Sequence, residues 1–338
     1  MKRALVSIRS PFQLLCSVEY VLQNNLDDVS LIIRHNSHDQ VSIRQIYKMI
    51  STFGFLFQKI GDWGEKPNES ARAILSDFKK TKSFVIIWCQ PSDERNKKIL
   101  RITKPRQVVH VDDGTATIGL SQRGNNFVLP TIGRIEKLIS GASLRSVRLD
   151  KFDSEVFTIF GIESKNSYRV VGHSLSSVKY LLREQVSDSV DSCNAWIIGS
   201  PLSETGNISS DQEVVALLMA KKFFESGEKN VAYIPHRYDS VEKIVSLERS
   251  GFYIKWPEDC IEITALGLAK PPSDFATISS TALITLSKLF RERNFYRIDF
   301  DDLDKKFLET VDVRYSNFSF LSMKHASMYE TFEQSGLR

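Results

Sequence analysis

Short apolar runs alternate with longer amphipathic stretches through the first third of the chain. Ala4-Leu5-Val6-Ser7-Ile8, Val29 to Ile33, Ser83 to Trp88 and Gln107 to Val111 read as buried strands, while 12–24, 39–52, 68–79 and 93–102 carry helical periodicity. That βαβα order implies a parallel sheet covered by helices on both faces, a Rossmann-like half. The pattern starts again after residue 190. Ala195 to Ile198, Asn230 to Ile234, Phe252 to Lys255 and Asp274 to Thr277 predict strands, and 210–225, 239–249 and Ser279 to Phe290 predict helices. The stretch 121–190 is less regular, with Gly124, Gly133, Gly141 and Gly161, and is expected to hold the crossover. The expected domains are 1–150 and 151–338, with the boundary anywhere in 125–190.

A length of 338 residues suits two such α/β domains, each with its own core. A net charge of +4 is too small for a nucleic-acid binder, so none is expected as a partner. The basic clusters Lys79-Lys80-Thr81-Lys82 and Lys97-Lys98 read as solvated helix ends. Cys16, Cys89, Cys193 and Cys260 have neither CxxC spacing nor a paired framework, and read as buried thiols in a reducing compartment. The start MKRALVSIRSPFQLL is broken by Ser7, Arg9 and Pro11 and does not read as a signal peptide. No run approaches the roughly 20 apolar residues of a membrane span. The expectation is a cytoplasmic protein, with peripheral contact at the inner membrane face left open.

Ligands of open α/β sheets bind beyond the carboxyl ends of the strands, so strand-end residues carry the candidate chemistry. No GxGxxG follows the first strand, which disfavours a dinucleotide enzyme. Val109-His110-Val111-Asp112-Asp113-Gly114 ends a strand in two carboxylates and a glycine. Neighbouring side chains on a strand point to opposite faces, so one carboxylate, Asp113, is assigned to the ligand side, with Asp112 holding the loop and Gly114 turning it. A helix-capping or turn aspartate is the competing reading. At the end of another strand, Pro235-His236-Arg237 offers an imidazole and a guanidinium to an anionic phosphate, or forms a plain surface turn in which Asp239 or Ser240 caps the next helix. Ser279-Ser280 precede an apolar helix and are either an anion cradle or a cap. Gly199-Ser200 after a strand and Glu262 are weaker candidates for nucleotide contact, and read equally as a turn and a solvated side chain. His35, His38, His173 and His325 lack metal-ligand spacing and read as surface or satisfied core residues, so no metal is expected.

Together, Asp112-Asp113-Gly114, His236 and Ser279-Ser280, in that order along the chain, resemble the motifs of bacterial sialyltransferases, in particular the lipooligosaccharide sialyltransferase and capsule polysialyltransferase families. Ser10-Pro11-Phe12-Gln13-Leu14-Leu15 and Ile198-Gly199-Ser200-Pro201-Leu202 are similar to segments of those families too. The family's His-Pro is here His236-Arg237, with proline displaced to Pro235. The resemblance implies a GT-B fold, two Rossmann-like domains facing across a cleft, and an inverting, metal-independent transfer of sialic acid or a related nonulosonic acid from a CMP donor. It implies Asp113 as general base and His236 at the leaving phosphate, with Gly199, Ser200, Arg237, Glu262, Ser279 and Ser280 at the donor. The acceptor would be a bacterial surface glycan or glycolipid, of capsule or lipooligosaccharide. No cofactor is implied beyond the CMP-sugar itself. The alternatives are a CMP-Kdo or other nucleotide-sugar transferase, a nucleotide-sugar epimerase of the same fold, and a non-catalytic carbohydrate-binding subunit.

Overall fold

The computed structural model describes residues 3–36, 39–81, 85–88, 93–114, 117, 153–160, 169–183, 187–299 and 321–324. Cys89, His38 and His325 lie outside these residues. The chain divides into two compact units, Met1–Val178 and Lys179–Arg338. The first unit thus extends past the expected 150, to a point inside the 125–190 window.

The first unit is built on a seven-stranded sheet in the order β3-β2-β1-β4-β5-β6-β7, with every neighbouring pair parallel. Its strands are β1 (Arg3–Ile8), β2 (Asp28–Arg34), β3 (Lys59–Trp63), β4 (Val85–Trp88), β5 (Gln107–Val111), β6 (Asp153–Thr158) and β7 (Arg169–Gly172). Its helices are α1 (Pro11–Gln23), α2 (Gln40–Phe53), α3 (Glu69–Lys80) and α4 (Glu94–Thr103), and α5 (Ser176–Leu182) spans the junction. Each of the first four helices starts where a side-chain oxygen accepts from a free backbone N–H: Ser10, Asp39, Asn68 and Asp93 are the caps. Leu5, Ile32, Ile74, Phe78, Ile99 and Val108 form a core under the sheet. Lys97 departs from the solvated reading: it is 9% exposed and pairs with Glu94 at 2.7 Å.

The second unit repeats the design with a six-stranded parallel sheet, β11-β10-β9-β13-β14-β15. These strands are β9 (Ala195–Ile198), β10 (Val231–Ile234), β11 (Tyr253–Ile254), β13 (Asp274–Thr277), β14 (Asn294–Asp299) and β15 (Leu321–Lys324); β8 (Ser187–Val190) and β12 (Leu268–Lys270) pair separately. The helices are α6 (Ser210–Ser226), α7 (Val241–Arg249), α8 (Ile261–Leu266) and α9 (Thr281–Leu289). Ala195, Ile197, Tyr233 and Ala276 fill one face with Leu217, Phe224 and Leu247; Trp196, Ile198 and Phe275 fill the other with Leu283 and Leu286. Strands β9, β10 and β13 are buried along their whole length, as a sheet covered on both faces requires, and in β13 that burial takes in Asp274 and Thr277. Among the described residues, no helix is long and apolar enough to cross a membrane.

Candidate functional site

In the first unit the candidate chemistry stands at the carboxyl end of β5. The two aspartates are sorted as strand alternation demands. Asp112 turns inward: it is 0% exposed, and its Oδ2 accepts from the Ile159 backbone N–H at 2.7 Å. Asp113 turns outward and is half-buried, and its Oδ1 accepts from Gln13 Nε2 at 2.6 Å. Thr117 Oγ1 accepts from the Asp113 N–H at 3.0 Å, and Gly114 makes the turn at φ 61.

Gln13 escaped the sequence reading as a site residue. It sits in the first turn of α1, where Ser10 Oγ accepts from its N–H at 3.3 Å and its own Oε1 accepts from the Arg9 N–H at 2.7 Å. The amide is therefore oriented at both ends. The available signal was the Ser-x-x-Gln spacing of a helix start, which says where Gln13 begins but not that it reaches Asp113.

In the second unit the ends of β9, β10 and β13 meet. Asp239 organises the His236 turn: its Oδ2 accepts from Tyr233 Oη at 2.8 Å and from the His236 N–H at 2.8 Å. Ser240, not Asp239, caps α7. The Tyr238 N–H donates to His236 Nδ1 at 3.2 Å, so in the neutral ring the proton sits on Nε2, the atom that can donate to a ligand. The Arg237 guanidinium lies over the Tyr238 ring at 4.8 Å.

Lys243, also missed, ties this end of the unit together. It is 1% exposed, and its Nζ donates to Ser200 O at 2.9 Å, Glu213 Oε1 at 2.5 Å and Asp239 Oδ1 at 2.9 Å. Burial opposes its charge, but Asp239 and Glu213 outweigh burial and hold the ammonium above the ordinary lysine value. Burial likewise pushes Asp239 and Glu213 upward against the pull of Lys243. Its place one helical turn after Asp239 was legible, but nothing local showed that it would turn inward.

The remaining predicted residues are distributed as follows. Ser200 is 3% exposed, with its Oγ 3.3 Å from Thr277 Oγ1, which donates to Ile198 O at 2.8 Å, so these hydroxyls stitch β9 to β13. Gly199 faces His236 so closely that a side chain has no room. Ser280 caps α9 by accepting from the Ala282 N–H at 3.4 Å, and Ser279 precedes it, both half-buried. Glu262 lies on α8. It is 4% exposed and accepts from Thr285 Oγ1 at 2.6 Å, and burial raises its carboxyl above the ordinary range. The structure thus brings Gly199, Ser200, His236 and Asp239 together, and places Glu262 between two helices.

No family model matches the chain, and no curated protein matches its sequence. Solved structures do. A Photobacterium 2,6-sialyltransferase, crystallised with CMP and lactose, superposes with a TM-score of 0.54 at 10% identity, covering 95% of this chain and 78% of that one. The α/β-galactoside α-2,3-sialyltransferase of Photobacterium phosphoreum gives 0.53 at 9% identity, over 95% and 98%. A protein described as a UDP-N-acetylglucosamine 2-epimerase from Listeria monocytogenes gives 0.51 at 8% identity, over 99% and 91%. At such identities the likeness concerns architecture, and the chain has the GT-B fold of two Rossmann-like units.

Proposed function

We propose that this protein is an inverting glycosyltransferase that moves sialic acid, or a related nonulosonic acid, from a CMP donor to a bacterial surface glycan or glycolipid of the capsule or lipooligosaccharide kind. The observation that carries the reading is the sorting of the two aspartates. Asp112 turns into the first unit, where its Oδ2 accepts from the Ile159 backbone N–H, while Asp113 is held at the sheet's carboxyl end by the Gln13 amide, on the side where an acceptor hydroxyl would be met. Asp113 takes the proton of that hydroxyl as it attacks the anomeric carbon, a contribution typically worth about a hundred- to ten-thousand-fold. His236, presenting Nε2–H, stabilises the departing CMP phosphate. Arg237 and the N-terminal end of α9 with Ser279 and Ser280 supply further donors. Gly199 and Ser200 shape the backbone against the nucleotide, and Glu262 accepts from a ribose hydroxyl.

The transfer step needs no metal, because the leaving group is a nucleoside monophosphate whose charge these donors meet. The protein works at the cytoplasmic face of the inner membrane, where both donor and growing glycan are met.

The epimerase likeness makes a UDP-sugar enzyme the rival reading, since the fold accommodates both. Titration calorimetry with CMP, UMP, GMP and NAD separates them: selective CMP binding that collapses in His236→Ala supports the transferase. Preference for UMP would sink it. Asp113→Ala then retains CMP affinity while turnover with CMP-sialic acid disappears, whereas a non-catalytic carbohydrate-binding subunit has no turnover to lose.

A further inference from the structure

We infer that the first unit holds a buried divalent transition-metal ion, zinc by ligand type, between Cys16 of α1, Asp112 at the end of β5 and His173 after β7. One ligand atom from each of these residues lies within 4.8 Å of the other two. Cys16 and Asp112 are 0% exposed, and the His173 side chain is fully buried against the Phe157 ring at 4.2 Å.

Two features separate this cluster from an ordinary buried ion pair. Among the described residues, Asp112 Oδ1 and both ring nitrogens of His173 have no hydrogen-bond partner, although buried polar atoms almost always find one. His173 Nε2 approaches Asp112 Oδ2 at 3.4 Å without making a hydrogen bond. That separation is what two donors sharing one ion adopt, since bonds of about 2.0 Å at tetrahedral angles put oxygen and nitrogen roughly 3.3 Å apart.

Charge and softness fit as well. A dication with the Asp112 carboxylate and the Cys16 thiolate sums to zero, the least costly total for a buried site. Binding forms the metal–sulfur bond and releases the thiol proton to water. Thiolate, imidazole and carboxylate together suit zinc rather than calcium or magnesium. The described residues supply three donors, and a water molecule completes the tetrahedron.

The ion has a structural task. Cys16 stands one turn beyond Gln13 on α1, and Asp112 adjoins Asp113, so the ion clamps the two elements whose side chains meet in the Gln13–Asp113 hydrogen bond. With its ligands buried it does not touch the acceptor, so the transfer step remains metal-free.

The test is metal analysis of the full-length protein, produced without a polyhistidine tag in zinc-supplemented medium and desalted by gel filtration. About one zinc per chain is expected, and replacement by cobalt should give the thiolate-to-metal absorption of a Co–S bond. Cys16→Ser should abolish that absorption, and His173→Gln should lower metal content at least tenfold while CMP affinity persists. Wild-type protein with far less than one metal per chain after incubation with zinc, or cobalt absorption unchanged in Cys16→Ser, overturns the inference. Metal content and cobalt absorption involve neither donor nor acceptor, so they decide the inference independently of the proposed transferase activity.

Discussion

A methyl group added at Gly199 would stand 2.5 Å from Tyr233 Oη, 2.7 Å from Asp239 Oδ2 and 2.8 Å from the His236 nitrogen. None of these atoms can yield cheaply, because each belongs to the hydrogen-bonded turn that orients His236. Gly199→Ala should therefore destabilise the protein by about 1–3 kcal/mol in urea titrations and weaken CMP binding, the cost of forcing extra volume into a packed site. At the opposite extreme of polarity, His110 in the middle of β5 is 3% exposed, and burial lowers its pKa from 6.5 to about 4. The unfolded chain takes up a proton on this residue near pH 6.5, whereas the folded chain refuses it until about pH 4. The contribution is thus intact above the unfolded value and is lost as pH falls across that window, by roughly 3 kcal/mol at the bottom. Urea midpoints measured at pH 7 and pH 4.5 should differ less in His110→Gln than in the parent, and an equal acid loss in both would reject the assignment.

Among the elements, α7 does more than cover the sheet. Lys243 on its first turn reaches Glu213 on α6, Ser200 after β9 and Asp239 after β10. Lys243→Met leaves buried carboxylates without their cation, and about 3–5 kcal/mol of stability should be lost. Thermal melts with and without CMP would show the melting point falling and the nucleotide no longer raising it. The pattern of apolar runs located these elements well where burial on both sheet faces leaves no charged position, as in β9 and β10. It passed over β3, because Lys59, Gly61 and Asp62 dilute its apolar signal although Gly61 and Trp63 are buried. It also passed over β14, where only Phe295 and Ile298 are buried. Glu262 is no solvated side chain: Cys260 opens α8 there, and the helix turns the carboxylate inward to Thr285. The site itself was legible in part. Asp113 and His236 end strong apolar strands, which is a local signal. Gln13, Lys243 and the Cys16, Asp112 and His173 cluster acquire their roles from partners far away in sequence, and no local pattern carries that information.

At the scale of the whole molecule, each unit carries its polar chemistry at the carboxyl ends of its parallel strands, as open α/β sheets do. The chemistry differs between them: the first unit offers a carboxylate suited to a hydroxyl, and the second offers N–H donors suited to a phosphate. That division predicts where nucleotide binds. Hydrogen exchange followed by mass spectrometry, with and without CMP, should give its largest slowing in peptides covering 198–203, 235–243 and 277–283. These hold the backbone donors after β9, β10 and β13. Exchange in β1, β2 and β3 should be little altered, because the Asp113 carboxylate repels an anion. If the strongest protection instead fell on peptides containing Asp113, the nucleotide would be bound by the first unit. Asp113 would then face a phosphate that repels it, and the assignment of base and leaving-group donor to these two residues would fail together.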